Sequence, residues 1–202
     1  NGNNALEALS TAPPAGGFKI FYPENNGREG LFINIQAIFL AIFGNYAWVL
    51  RLVSALFGTL TVLGIYFLTK ELFSKNIALL SSFFTAISFW HINFSRIGFR
   101  AIMAPFFLVW AIYFLILAYR KIKEEHFSSL NPLSHGRFPL VAYSVLGGIF
   151  YGLGFYSYIA YRATPILLFF VLLFYLFKSH GFRIQITVYS LYFLIASFIV
   201  AL

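Results

Sequence analysis

The stretch LVSALFGTLTVLGIYFLT, residues 52–69, contains no Lys, Arg, Asp or Glu and decides the fold of this chain. A helix rises about 1.5 Å per residue and the hydrocarbon core of a bilayer is about 30 Å thick, so roughly 20 apolar residues span it. Five further stretches lack the same four residue types, namely residues 76–95, 101–119, 138–161, 163–177 and 184–202. The sequence therefore predicts an all-α fold, a polytopic transmembrane helix bundle with about six spanning helices.

The composition excludes several classes of protein. Hydrophobic residues make up 60% of the chain and charged residues only 10%, whereas about a quarter of a soluble domain is charged. The net charge of +8 has a topological explanation in the short loops between helices, so we expect no nucleic-acid partner. With no Cys, and with four His that lack the spacing of metal ligands, we expect no metal site and no cofactor.

Basic residues form two sets at opposite helix ends. Because cytoplasmic loops carry an excess of Lys and Arg, the larger set predicts the cytoplasmic face and the smaller set the outer face. The larger set consists of Lys70, Lys75, Arg120, Lys121, Lys123, Arg137, Lys178 and Arg183. The smaller set consists of Arg51, Arg96, Arg100 and Arg162.

Residues 1–30 are polar and rich in turn-forming residues, which predicts a surface loop on the outer face, followed by a membrane domain over residues 31–202. The first apolar run, residues 31–43, ends at Gly44 and is too short to span comfortably, so we expect an interfacial helix. The alternative is that it spans, which would add Lys19 and Arg28 to the cytoplasmic set. Since the chain starts without Met and stops inside an apolar run, we expect a domain truncated at both ends.

Small residues recur along the run at 138–161, where Ser144, Gly148 and Gly152 follow one another at intervals of four. Such spacing lets two helix backbones approach closely. We therefore predict that these residues form a helix-packing face.

Three outward stretches combine Arg with polar or aromatic residues, at 25–29, 91–100 and 156–162. Arg96 and Arg100 are four residues apart and would share a face on a continuous helix, where their planar guanidinium groups would suit a phosphate. The alternative is that such arginines only anchor helix ends in the headgroup layer. Glu29 is either a partner for Arg, a solvated loop residue or a general base.

Four stretches, taken in this order, carry a family resemblance. They are FYPENNGREGLF at 21–32, RLVSALFGTLTVLGIYFLTKELF at 51–73, SFWHINFSRIGFRA at 88–101 and GFYSYIAYRATP at 154–165. With them the chain resembles the polyprenyl-phosphate-sugar glycosyltransferases of the GT-C superfamily, near the bacterial protein O-mannosyltransferase-like and aminoarabinose-transferase-like families.

The resemblance implies a multi-pass enzyme of the plasma membrane. Such an enzyme moves a hexosyl or pentosyl group from a polyprenyl-phosphate sugar to a hydroxyl of a protein or glycolipid acceptor, on the outer face and among membrane lipids. The family's catalytic Asp is missing, since the chain contains no Asp. We expect that acid upstream of Asn1, with Glu29 as a substitute, and we expect residues 1–202 alone to be inactive.

The resemblance also suggests roles for individual residues. Arg28 occupies the position of a cation that meets the lipid phosphate in the aminoarabinose transferases, and Arg96 and Arg100 are predicted to bind the same phosphate. Further sugar- or lipid-binding candidates are Asn26, His91, Tyr158 and Arg162. The competing functions are a lipid-linked substrate transporter or flippase and a non-catalytic membrane scaffold. A transporter should show internal repeats or broken midplane helices, and we find neither in the sequence.

Overall fold

The structure is a computed structural model that describes residues 2–9, 17–23, 28–127, 137–178 and 183–202. Helices make up nearly all of the described chain, with a single two-stranded antiparallel pair in it. The predicted all-α class is thereby confirmed.

Nine α-helices are described, beginning with α1 at Gly2–Leu9 and α2 at Leu31–Phe43. Strands β1 (Phe21–Tyr22) and β2 (Arg28–Glu29) lie between them. The bundle helices are α3 (Ala47–Leu72), α4 (Lys75–Ile87), α5 (Phe89–Arg96), α6 (Met103–Phe127), α7 (Arg137–Gly154), α8 (Thr164–Lys178) and α9 (Arg183–Ala201). Two short 3-10 helices, Arg100–Ile102 before α6 and Ile159–Ala163 before α8, complete the order.

Within the described residues, two helices are long and apolar enough to cross a bilayer, Ala47–Leu72 and Arg100–Ile122. The pair α4 and α5 would make a third span if taken together, although it is bent by 58°. Shorter apolar helices lie at Leu31–Phe43, Pro139–Gly154, Ile159–Phe174 and Ile186–Ala201. The chain is thus a membrane helix bundle, while a total of six spans stays a prediction.

Two of the predicted continuous helices are interrupted, and the sequence prediction was wrong on this point. Residues 76–95 break at Ser88, whose extended backbone ends α4 and starts α5. Residues 138–161 stop being α-helical at Gly154, where the absence of a side chain makes room for the Tyr161 ring to fold back against the helix end. Tyr156 and Tyr158 therefore lie in a connection between helices.

The predicted helix at 31–43 is confirmed with the same bounds. Gly44 ends it with a φ of 87°, and its N–H donates to Leu40 O at 2.9 Å. This left-handed conformation suits glycine, since it lacks a Cβ. One face of α2 is buried against α1 and α3, while Ile38 and Ile42 are exposed on the other. Its interfacial position in the membrane stays a prediction.

The predicted packing face on α7 is confirmed, and its partner is α9. A Cβ at Gly148 would lie 2.3 Å from Phe193 O, and one at Gly152 would lie 2.6 Å from Ser197 O. Neither glycine has room for a side chain, because each opposes a backbone oxygen of the neighbouring helix. The two backbones therefore approach as closely as the small-residue spacing predicts.

Opposite ends of the bundle carry different charged pairs. Arg120 and Glu71 form an ion pair that joins the C-terminal ends of α3 and α6. At the other end of the bundle, Arg100 begins the span Arg100–Ile122 and forms an ion pair with Glu29. Arg120 and Arg100, one from each predicted set of basic residues, therefore lie at opposite ends of the bundle. Which of these ends faces the cytoplasm stays a prediction.

We expect Gly148→Ala to lower the stability of the bundle by about 1–3 kcal/mol, because the added methyl overpacks the α7–α9 contact. Thermal unfolding of the purified protein in detergent would measure this. Leu146→Ala, at an exposed position on the same helix, is the matched control and should change stability far less. Equal unfolding temperatures for Gly148→Ala and the unaltered protein would contradict the close approach of α7 and α9.

Candidate functional site

A small hairpin carries Glu29 to the end of the bundle. Phe21 pairs with Glu29 and Tyr22 with Arg28, and the Gly30 N–H donates to Ile20 O at 2.7 Å. A Cβ at Gly30 would lie 1.9 Å from Lys19 O, so glycine is required where the hairpin meets α2. The backbone of Glu29 is therefore held directly above the start of α2.

The hairpin is also fastened to α2 by side chains. Tyr22 is fully buried, and its hydroxyl donates to Asn34 Oδ1 at 2.9 Å. Asn34 Nδ2 in turn donates to Lys19 O at 2.9 Å. These bonds tie the first strand and the residue two positions before it to Asn34 of α2, and the pairing of β1 with β2 then defines the position of the Glu29 backbone.

A glycine turn separates the two arginines of the motif at 91–100. Helix α5 ends at Arg96, Gly98 has a φ of 73°, and Arg100 begins a separate 3-10 helix. The turn packs against Leu50 O, which also accepts a hydrogen bond from Gln36 Nε2 at 2.9 Å. The predicted shared helix face of Arg96 and Arg100 is therefore wrong, because the left-handed turn at Gly98 breaks the helix between them.

Three segments of the chain meet at Arg100. Its Nη1 lies 2.8 Å from Glu29 Oε2, and the two side chains are only 14% and 10% exposed. These two atoms form an ion pair but not a hydrogen bond with each other. The guanidinium group also lies 5.6 Å from the centre of the Tyr158 ring, within the range of a cation–π contact. We call Glu29, Arg100 and Tyr158 the arginine–glutamate cluster.

In this cluster the Arg100 guanidinium group already contacts one anionic group, the Glu29 carboxylate. A guanidinium group has five N–H donors, and a single carboxylate contact leaves several of them for a further acceptor. Because both charged groups are largely shielded from solvent, their interactions are screened less than those of exposed charges. The remaining N–H donors of Arg100 suit an acceptor such as an oxyanion, whereas the Glu29 carboxylate beside them repels one.

Arg96 lies in different surroundings, at one end of a groove of about 620 Å³ between α3, α4 and α5. His91 lines the same groove, and its Nε2 lies 3.0 Å from Gly58 O. A carbonyl oxygen only accepts hydrogen bonds, so Nε2 carries the proton and donates it. Arg100 is not among the residues that line this groove.

The remaining predicted site residues are placed as follows. The backbone of Arg28 lies in β2 beside Glu29, and Arg162 is exposed in the second 3-10 helix. Asn26 lies outside the described residues. The structure thus brings Glu29, Arg100 and Tyr158 together, and places His91 and Arg96 along a separate groove.

Sequence reasoning missed one buried polar residue of α2, Gln36. Gln36 is almost fully buried and joins α2 to the start of α3 through Leu50 O. It lies on the buried face of α2 with Phe32, Ile33 and Leu40. That helical spacing was the available signal, since a polar residue on the apolar face of a helix needs a buried partner.

A metal centre is not apparent in the described part of the chain, where no three His, Cys, Asp or Glu residues come together. Comparisons with curated proteins and with solved structures found no match. A comparison with protein families did find one. The model of the family described as dolichyl-phosphate-mannose-protein mannosyltransferase matches residues 31–202. The chain therefore belongs to that family, whose membrane glycosyltransferases use a polyprenyl-phosphate sugar as donor.

Proposed function

We propose that this chain forms the donor-binding part of an enzyme that moves a hexosyl or pentosyl group to an acceptor hydroxyl at the outer face of the plasma membrane. The acceptor would be a protein or a glycolipid. The observation that carries the proposal is the arginine–glutamate cluster, where a shielded guanidinium group lies at one end of the bundle. Family membership supports the reaction class, and the shielded guanidinium group of Arg100 supports the proposal that the donor phosphate binds at this cluster.

The reaction is a displacement at the anomeric carbon of the sugar. The acceptor oxygen forms a bond to that carbon, the bond from carbon to the phosphate oxygen breaks, and the lipid phosphate leaves with the electron pair. A carboxylate takes the proton of the acceptor hydroxyl. Arg100 would stabilise the negative charge that develops on the leaving phosphate, which is the kind of preorganised contact that lowers such a barrier.

Arg28, which directly precedes Glu29 in β2, is proposed as a second cation for the same phosphate because it occupies the position that the family resemblance assigns to such a cation. Arg96 was predicted to bind the same phosphate, but it lines the groove and is separated from Arg100 by the Gly98 turn. The proposed donor site therefore does not include Arg96. Tyr158 is retained as a residue that borders the phosphate or sugar. Asn26 and Arg162 remain proposed contacts to the sugar or lipid.

Glu29 has two conceivable roles, and its ion pair favours one of them. As a general base it would accept the proton of the acceptor hydroxyl. As a positioning residue it would orient Arg100 toward the donor phosphate. Since Oε2 already lies against Arg100 and the side chain is largely shielded, we propose the positioning role. The proton of the acceptor hydroxyl would then pass to a carboxylate other than Glu29.

A lipid-linked substrate transporter is the second candidate, and the break at Ser88 is the observation that favours it. Discontinuous helices are typical of transporter sites, and the sequence had suggested none here. The two functions differ in their product, since an enzyme cleaves the bond between sugar and phosphate while a flippase leaves it intact. Chromatography of the lipid donor after incubation with the intact protein and an acceptor would separate them.

The orientation of the bundle can be tested with single cysteines, because this chain has none of its own. Ile97 and Asn76 are exposed at opposite ends. We expect Ile97→Cys to react with an impermeant maleimide in intact cells, and Asn76→Cys to react only after the membrane is permeabilised. The reverse pattern would overturn the assignment of the arginine–glutamate cluster to the outer face.

Arg100 should contribute strongly to donor affinity. A hydrogen bond to a charged group is worth about 1.5–3 kcal/mol, so Arg100→Ala in the full-length enzyme should weaken binding of a polyprenyl-phosphate analogue by roughly 10- to 150-fold. Arg100→Lys should restore only part of this, because an ammonium group lacks the forked geometry of guanidinium. Arg51→Ala, an exposed arginine on α3, is the control and should bind normally.

Truncating Arg100 also leaves Glu29 shielded and unpaired, which is destabilising. The double variant Arg100→Ala with Glu29→Gln removes that charge, so it should recover folded yield without recovering affinity. Normal affinity in this double variant would exclude Arg100 from the donor site.

The role of Glu29 can be separated by kinetics. If it positions Arg100, Glu29→Gln should raise KM for the donor several-fold while kcat changes little. A general base contributes about 10²- to 10⁴-fold to the rate, so its loss would lower kcat by that factor with KM retained. Steady-state sugar transfer by the full-length enzyme would distinguish the two, and the second outcome would make Glu29 the base.

A further inference from the structure

The groove at Arg96 is polar at one end and mainly apolar beyond it. Arg96, Ser95 and His91 lie at the polar end, near Thr59 of α3. Further along, the walls are mostly side chains without charge, from Val62, Leu63 and Ala86, with Ser82 and Tyr66 at the far end. The described residues that line the groove include no carboxylate.

The charge of Arg96 is uncompensated by the described carboxylates. Of these, Glu29 is paired with Arg100 and Glu71 with Arg120, and Arg96 forms no ion pair with any described residue. Its side chain is exposed at the C-terminal end of α5. An anion at this end of the groove would therefore meet a cation and no opposing negative charge.

The length of the groove matches one leaflet of a bilayer. The segment of α3 from Ala55 to Tyr66 extends about 16 Å at 1.5 Å per residue. Half of a hydrocarbon core about 30 Å thick is about 15 Å. A chain that starts at Arg96 and ends near Tyr66 would thus cross a single leaflet, as an acyl chain of a phospholipid does.

The polar end of the groove is held in place by hydrogen bonds between α3 and α5. Ser54 Oγ donates to Ser95 O at 2.9 Å, and His91 Nε2 donates to Gly58 O at 3.0 Å. A Cβ at Gly58 would lie 2.1 Å from Ser95 Oγ, so the Ser95 side chain packs directly against the backbone of α3 at this glycine. Because α4 diverges from α5 by 58° at Ser88, the groove opens beside this contact.

We propose that this groove is a binding site for an anionic diacyl phospholipid of the surrounding membrane, with its phosphate at Arg96 and one acyl chain along α3. The site is separate from the proposed donor site, since the Gly98 turn sends Arg100 to the arginine–glutamate cluster instead. An anionic lipid is preferred over a zwitterionic one because the positive charge at the mouth has no ion-pair partner among the described residues. The match to a single leaflet favours an acyl chain over the much longer polyprenyl chain.

Native mass spectrometry of the intact protein can test this with phosphatidylglycerol and phosphatidylcholine of identical acyl chains. We expect phosphatidylglycerol to be retained preferentially, and Arg96→Gln to reduce its retention by about tenfold, the loss typical of one charge-assisted contact. Arg51→Gln is the matched control, because Arg51 is exposed on α3 but does not line the groove. It should leave phosphatidylglycerol retention unchanged.

A second variant tests the groove without altering charge. Ala86→Phe should fill it and reduce retention of phosphatidylglycerol, whereas Leu80→Phe, exposed on the same helix and outside the groove, should not. This pair decides the matter even if Arg96→Gln fails to fold. Unchanged retention in Ala86→Phe would overturn the proposal. So would displacement of phosphatidylglycerol by an equal concentration of polyprenyl phosphate, which would make the groove a donor site.

Discussion

The ion pair between Arg100 and Glu29 is the interaction on which the geometry of the candidate site depends, because it joins the surface hairpin to the start of a membrane span. Removing two charges from water is costly, and their mutual attraction offsets that cost only when both partners are present. The pair therefore holds the Glu29 side chain against the start of the span, in addition to the hairpin bonds that position its backbone. It also sets the charge of the site before any donor arrives. Glu29 and Arg100 together carry no net charge, so a phosphodiester that binds there adds a negative charge that a second cation must balance. Arg28 is the nearest basic residue along the chain and is proposed for that purpose.

The helices of the bundle were largely predictable, whereas their interruptions were not. Charge-free runs identified α3, α6 and α9, and the Gly44 stop of α2 followed from its glycine. The breaks at Ser88 and Gly154 could not be predicted from hydrophobicity, because both runs stay apolar on either side of the point where the helix ends. The break at Gly154 becomes understandable from packing, since that glycine accommodates the Tyr161 ring. Contacts of that kind are formed between distant parts of the chain, and one sequence does not reveal them.

The candidate site shows the same division. The spacing of Arg96 and Arg100 suggested one helical face, but that inference assumes a continuous helix, and Gly98 with its positive φ breaks it. The glycine was visible in the sequence, yet membrane helices tolerate glycine often enough that its presence did not predict a turn. Glu29, Arg100 and Tyr158 belong to three stretches that the sequence predicted for the same face, but the predicted convergence was that of Arg28, Arg96 and Arg100. Their direct contact depends on the hairpin bonds of Gly30 and Tyr22, which bring residues far apart in sequence together.

The separation of the two arginines gives them different electrostatic surroundings. Arg100 is shielded by Glu29 and Tyr158, so its attraction for a phosphate is little reduced by dissolved salt. Arg96 is exposed at the mouth of the groove, and its attraction for a headgroup falls as ionic strength rises. An apolar chain lying along α3 would add a contribution that salt does not weaken. In the proposed lipid site, Arg96 would therefore need the apolar contacts of the groove in addition to its charge. Arg100, in contrast, is positioned by its ion pair with Glu29. Helix α5 lies along one site, and the Gly98 turn that follows it leads to the other, so the same short segment sets the position of both guanidinium groups.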